Sequence, residues 1–186
     1  MILYIHGFAS CGWGAKSLAL RQFFGIHQVI APDLPFRPNA AVRRLEGLLR
    51  RYPVSALVGA SLGAFYATWL NQDKRLPTVL INPVVRPHEK LAAHTGRQAR
   101  WCDQMPFEVS QDWLVELAAL QRPSTDGAER YLVLLQKGDE VLDYREAAAF
   151  YRDQTLAIED GGDHRFAGFA DHLERIAGWL GVPAAG

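Results

Sequence analysis

A chain of 186 residues that is 49% hydrophobic and 22% charged has the composition of one globular domain with a full core, which excludes disordered and collagen-like classes. Twenty basic residues balance twenty acidic ones, so the basic excess expected of a nucleic-acid binder is missing. Its two cysteines, Cys11 and Cys102, form no recognisable disulfide framework or metal-ligand spacing, and no C-x-x-C or H-E-x-x-H string occurs.

The first segment, "MILYI" at 1–5, is short and apolar, and His6 and Gly7 end it too early for a signal peptide or a membrane span. Similar runs follow at 27–33 ("HQVIAPD"), 54–60 ("VSALVGA"), 78–84 ("TVLINPV") and 130–136 ("RYLVLLQ"), with a weaker one at 155–160 ("TLAIED"). Near-continuous apolar runs without alternation are what strands buried on both faces of a parallel sheet require. Helical patterns lie between them. Residues 17–24 end at Gly25, a C-cap residue, and 39–52 end before Pro53. In "AVRRLEGLLRRY" the apolar residues share one helical face and the arginines the other, which reads as a solvated surface. Residues 61–72, 144–153 and 169–180 complete the set.

This alternation predicts an α/β fold, a doubly wound, mostly parallel sheet of about six strands in a single domain over 1–186. The interval 85–129 shows no strand pattern but contains "SQDWLVELAAL", a helix with Ser110 at its N-cap and Asp112 in the first turn. It is expected to be a small helical insert over one end of the sheet.

The string Gly59-Ala60-Ser61-Leu62-Gly63 fits G-x-S-x-G at a strand-to-helix junction, the setting of a nucleophile elbow. There the serine is held in a strained turn, and small neighbours keep adjacent backbone from colliding. The competing reading is a glycine-rich turn with an N-capping serine. A serine hydroxyl needs a base. Of six histidines only His164 falls in a glycine-rich loop after the last strand, where parallel sheets build their sites. The orienting acid should follow the fifth strand, where Asp139, Glu140 and Asp143 are available. Asp139 at the strand edge is favoured, because Asp143 opens the next helix; Asp160 and Asp163 would struggle to face the ring from the histidine's own tight loop. An oxyanion hole would take the amides of Leu62 and Phe8, the latter in the turn after the first strand.

The motifs "LYIHGF", "VGASLGA", "KGDEVLDY" and "GGDHRF" together resemble the α/β-hydrolase superfamily, and within it the small bacterial YqiA-like esterases. The resemblance spans essentially the whole chain. It implies an N-terminally shortened α/β-hydrolase fold, a Ser61–Asp139–His164 triad, hydrolysis of acyl esters and no cofactor or metal. The expected activity is that of a serine carboxylesterase acting on short or medium acyl esters through an acyl-enzyme. An acyl-coenzyme A thioesterase on the same triad, or a silent hydrolase fold that binds a small molecule, are the alternatives. The expected partner is a small-molecule ester or thioester, with neither nucleic acid nor membrane involved, and the expected location is cytoplasmic. Cys11, near the expected mouth of the site, has no assigned role.

Overall fold

The computed structural model describes residues 1–125 and 128–186. In chain order they form β1 (Ile2–Ile5), α1 (Ala15–Phe24), β2 (Val29–Ile30), α2 (Pro38–Arg51), β3 (Ala56–Ala60), α3 (Leu62–Asn71), β4 (Thr78–Ile81), α4 (Pro87–Leu91), β5 (Gly96–Ala99), β6 (Pro106–Val109), α5 (Gln111–Ala119), β7 (Tyr131–Gln136), α6 (Tyr144–Phe150), β8 (Thr155–Glu159) and α7 (Leu173–Leu180). The main sheet has the order β2-β1-β3-β4-β7-β8, and every neighbouring pair is parallel. This is the six-stranded, doubly wound architecture expected.

Parallel strands need crossovers, and the crossovers cover both faces. Side chains alternate along each strand, so two cores result. On one face Leu3, Ile5, Leu57, Leu80 and Val133 pack against α2, α3 and α6 through residues such as Leu45, Phe65 and Ala147. On the other, Ile2, Tyr4, Val58, Val79 and Leu134 pack against α1 and α7 through Leu20, Phe24, Ile176 and Leu180. That explains the unbroken apolar runs: β1, β3, β4 and β7 are buried at every position. Truncating one of these buried leucines to alanine costs about 2–5 kcal/mol in typical cores.

The helix ends follow the residues. Gly25 closes α1 at φ 93°, its N–H donating to the Arg21 carbonyl, and Pro38 opens α2 where its missing N–H costs nothing. Three expected elements differ. The strand expected over 27–33 shortens to two residues at the sheet edge, where Pro32, lacking an N–H, follows closely and cannot extend the ladder. The helix expected over 169–180 begins as a 3₁₀ turn (Phe169–His172) and becomes α-helical only at Leu173. Ser110 is the N-cap of α5, yet its hydroxyl makes no capping bond.

The interval 85–129, whose residues 126 and 127 lie outside the described ones, is not purely helical. After α4 the chain makes an antiparallel hairpin, β5 paired with β6, separate from the main sheet. Its strands carry Arg97, Gln98 and Glu108, and so lack the continuous apolar run that marks the strands of the main sheet. The α5 helix is pinned by Glu116, which accepts from the Asn39 amide (2.9 Å) and Arg37 Nε (2.6 Å) at the start of α2.

The expectation that the cysteines form no disulfide is also overturned. Cys11 and Cys102 are bonded, with Cα atoms 6.4 Å apart across 91 residues of chain. Sequence spacing alone cannot report a bridge made by the fold. Disulfides persist mainly in oxidising compartments, so the bond speaks against the expected cytoplasmic location. No helix of the described residues is long and apolar enough to cross a membrane.

Candidate active site

Ser61 sits directly after β3, whose last residues pair with β1 (Ile5 with Gly59) and β4 (Ala60 with Ile81). β1 has β2 on one side and β3 on the other, so the winding direction reverses there, and the carboxyl ends of the strands open into a crevice. The serine occupies φ 51°, ψ −117°, a conformation that costs a non-glycine residue about 1–3 kcal/mol. Neighbouring bonds hold it there. Its amide donates to the Ile81 carbonyl at 2.9 Å, and its own carbonyl accepts from Ala64 at 3.0 Å in the first turn of α3.

The flanking glycines are explained by close approach. A Cβ on Gly59 would stand 2.6 Å from the Gly63 carbonyl oxygen and 2.7 Å from Ala64 Cα. One on Gly63 would stand 2.6 Å from the His6 carbonyl oxygen and closer still to that of Ile5. The helix can therefore start against the end of β1 only without a side chain at 63. Across the gap Gly7 lies alongside Ser61: a Cβ there would be 3.7 Å from the serine Oγ.

His164 reaches Ser61 from the loop after β8, with Nε2 3.1 Å from Oγ. Its Nδ1 is 2.8 Å and 3.0 Å from the two carboxylate oxygens of Asp139. With the carboxylate accepting the Nδ1 proton, Nε2 is left as an acceptor for the serine hydroxyl. The Asp139 side chain is only 2% exposed, against 21% for His164. Buried carboxylates need donors, and Asp139 Oδ1 also accepts from the Val141 and Leu142 amides at 2.9 and 2.8 Å. Asp139, His164 and Ser61 thus form one continuous chain of hydrogen bonds.

Three of the other acidic candidates, Asp143, Asp160 and Glu140, have partners of their own. Asp143 caps α6 through the Arg145 amide and pairs with the Arg145 guanidinium, which together hold its carboxyl below the usual range. Asp160 is exposed and bonds Lys137. Glu140 takes a part the sequence did not suggest: it accepts the backbone N–H of His164 at 2.9 Å, and that bond lowers its pKa.

Phe8 and Leu62, the two expected oxyanion donors, line the same cleft, together with Gly7, Leu34, Pro35, Phe36, Tyr66, Phe107 and Trp113. Neither amide has a protein acceptor among the described residues. The turn bearing Phe8 is braced by His6. Leu34 N–H donates to its Nε2 at 3.2 Å, so the proton resides on Nδ1 and is donated to the Gly7 carbonyl at 2.9 Å. Burial lowers the His6 pKa, partly offset by the Gly7 bond and the charge of Asp33 and reinforced by Arg100, so the neutral ring is the favoured form.

Two anchors of the histidine loop went unnoticed in the sequence. Asn82, at φ 38° just past β4, donates through Nδ2 to the Asp163 carbonyl (3.0 Å) and accepts from the Gln136 amide (3.1 Å). Gln136, the last residue of β7, accepts from the Asp163 amide (3.1 Å) and donates to the Ala167 carbonyl (2.8 Å). The signal was there: each is a lone polar side chain closing an apolar strand. Among the described residues no three His, Cys, Asp or Glu side chains gather into a metal-ligand set.

This geometry can be set beside known proteins. The chain resembles the UPF0227 protein of Shewanella sp. strain ANA-3, 26% identical over 189 residues that cover 95% of this chain and 97% of that one. It is 23% identical to the UPF0227 protein of Yersinia enterocolitica over 189 residues, covering 95% and 96%. Among solved structures, Est1E from Butyrivibrio proteoclasticus with ferulic acid bound superposes with a TM-score of 0.73 at 12% identity, covering 96% of this chain and 87% of that one. Mouse alpha/beta hydrolase domain-containing protein 10 gives 0.72 at 14% identity, covering 97% and 89%. The fold is that of the α/β-hydrolases. The model of an uncharacterised protein family, UPF0227, matches residues 1–181, and the chain belongs to that family.

Proposed function

We propose that the protein is a serine carboxylesterase that cleaves short or medium acyl esters through an acyl-enzyme. The observation that carries this reading is the unbroken hydrogen-bond chain from Asp139 through His164 to a strained Ser61 beside two amides. The names of structural neighbours such as Est1E and the esterase domain from Rhodothermus marinus agree with it.

The steps follow from the geometry. His164 Nε2 takes the hydroxyl proton as Ser61 Oγ attacks the ester carbonyl. The negative charge that develops on the carbonyl oxygen is met by the Phe8 and Leu62 amides, at the N-terminus of α3. Asp139 holds the ring's other proton in place and stabilises the imidazolium. The proton taken up by Nε2 then passes to the departing alkoxide, and water, deprotonated in turn by Nε2 of the same imidazole, attacks the acyl-enzyme and releases the acid.

The test combines a fluorophosphonate probe with hydrolysis of p-nitrophenyl esters. Ser61 should carry the adduct, and Ser61→Ala should lose both labelling and turnover. Labelling or turnover that survives in Ser61→Ala would overturn the reading, as would an absence of both in the unsubstituted protein.

A further inference from the structure

The β5–β6 hairpin is a small sheet of its own, with no ladder to the main one. A two-stranded hairpin of this kind has little stability in water unless something holds it. Here Phe107 on β6 points inward and lines the cleft shared by Phe8 and Leu62. It stacks on Phe36 at 4.1 Å between centroids and 9° between planes, and lies parallel to Trp113 at 6.0 Å. Phe8 meets it edge-on at 5.6 Å. The hairpin thus supplies the central ring of an aromatic wall beside the oxyanion donors.

The turn joining the two strands is fastened to the segment that follows Phe8. Trp101 N–H donates to the Ala9 carbonyl at 2.8 Å. Buried Arg100 pairs with Asp103 and lies 3.6 Å from Asp33, whose other oxygen accepts from the Gly12 amide at 2.7 Å. Between these contacts runs the Cys11–Cys102 bond, the one covalent link from the hairpin to the oxyanion turn among the described residues. Cys11 is fully buried and Cys102 half-buried.

We propose that this hairpin sets the size of the acyl group, with Phe107 as the specificity-determining residue and the Cys11–Cys102 bond as the tether that keeps it against the cleft. The proposal rests on the esterase reading above. The cleft between these walls is narrow: its cavity volume is about 30 Å³, far below the roughly 300–1,000 Å³ typical of small-molecule sites. Its walls carry no ionised side chain, so the group it takes is uncharged and compact. Removing the Phe107 ring, or releasing the hairpin, lengthens the space and admits longer chains. Release is a dithiol exchange: the reductant supplies two electrons and two protons, the S–S bond breaks to two thiols, and the dithiol closes into its own disulfide.

The experiment measures kcat and KM on p-nitrophenyl acetate, butyrate, octanoate and decanoate, for the unsubstituted protein and Phe107→Ala, each with and without dithiothreitol. Fluorophosphonate labelling of Ser61 and a thermal melt accompany each sample. The decanoate-to-acetate ratio of kcat/KM should rise on the order of tenfold in Phe107→Ala, with labelling of Ser61 retained. Reduction of the unsubstituted protein should move the ratio the same way, and should add little once the ring is gone. Phe107→Leu, closer in volume, should fall between, and reduction alone tests the point if the alanine variant does not fold. A ratio indifferent to both Phe107 and reduction, in protein whose Ser61 is labelled, overturns the proposal, as does an equal effect of reduction with and without the ring. A protein whose Ser61 stays unlabelled and which hydrolyses none of the esters fails earlier, at the esterase reading itself.

Discussion

Asn82 Nδ2 donates to the backbone carbonyl of Asp163 at 3.0 Å, joining the end of β4 to the residue before His164 across 81 positions of sequence. The same side chain accepts from Gln136 N–H, so one amide bridges β7 and the histidine loop. Asn82→Asp keeps the acceptor but turns the donor into an oxygen facing a carbonyl oxygen. Thermal and urea melts should show a loss of about 1–3 kcal/mol, the usual penalty for a buried polar group left unsatisfied. Because the loop positions His164, kcat should fall more than KM changes. A variant with the parent's melt and parent's kcat would show that this bridge does not matter.

Asp139 and Asp143 separate cleanly. Asp139→Asn presents a donor where the ring needs an acceptor and favours the wrong tautomer, so turnover should drop on the order of a thousandfold or more. Asp143→Asn keeps a capping oxygen and gives up an exposed ion pair with Arg145. Its melting temperature should change little, with turnover near the parent's. Steady-state rates on one activated ester, with melts to verify folding, decide between them; the reverse pattern would move the acid to Asp143.

Gly63→Ala should be far more damaging than its one added methyl suggests. The new Cβ would meet the carbonyl groups of Ile5 and His6, which are backbone atoms at the end of a fully buried strand and cannot swing aside. We expect a loss of about 3 kcal/mol or more, measured by urea denaturation, together with weaker fluorophosphonate labelling as α3 shifts away from β1. A parent-like denaturation midpoint would show that the start of α3 accommodates a side chain at position 63.

His6 gives a pH signature. Its folded-state pKa is lowered by burial, against an ordinary value of about 6.5. The unfolded chain therefore binds the proton more readily, and stability rises with pH wherever the two states differ. The contribution of His6 is complete above about pH 6.5 and is lost as pH falls toward the folded-state value. Melts between pH 7.5 and 5 should show that decline, and His6→Gln should flatten it. An identical slope in the variant would assign the effect to another group.

Much of this was legible in the linear chain. Continuous apolar runs separated by amphipathic helices report a sheet covered on both faces, because strand and helix periodicities are local properties. Gly59-Ala60-Ser61-Leu62-Gly63, the loop bearing His164 and the acid after β7 were readable for the same reason: each is a short string whose chemistry and strand-end position can be recognised without knowing its neighbours. What only the tertiary structure decided are relationships between distant segments. The Cys11–Cys102 bond spans 91 residues, and no spacing rule anticipates which surfaces will meet. The β5–β6 hairpin carries Phe107 into the cleft through aromatic contacts made after folding, on strands too polar to announce themselves. Asn82 and Gln136 look like ordinary strand ends until the loop they hold is placed over them. The sequence determines which groups can do chemistry; the packing of remote elements decides what holds them at hydrogen-bond distance and what shapes the space beside them.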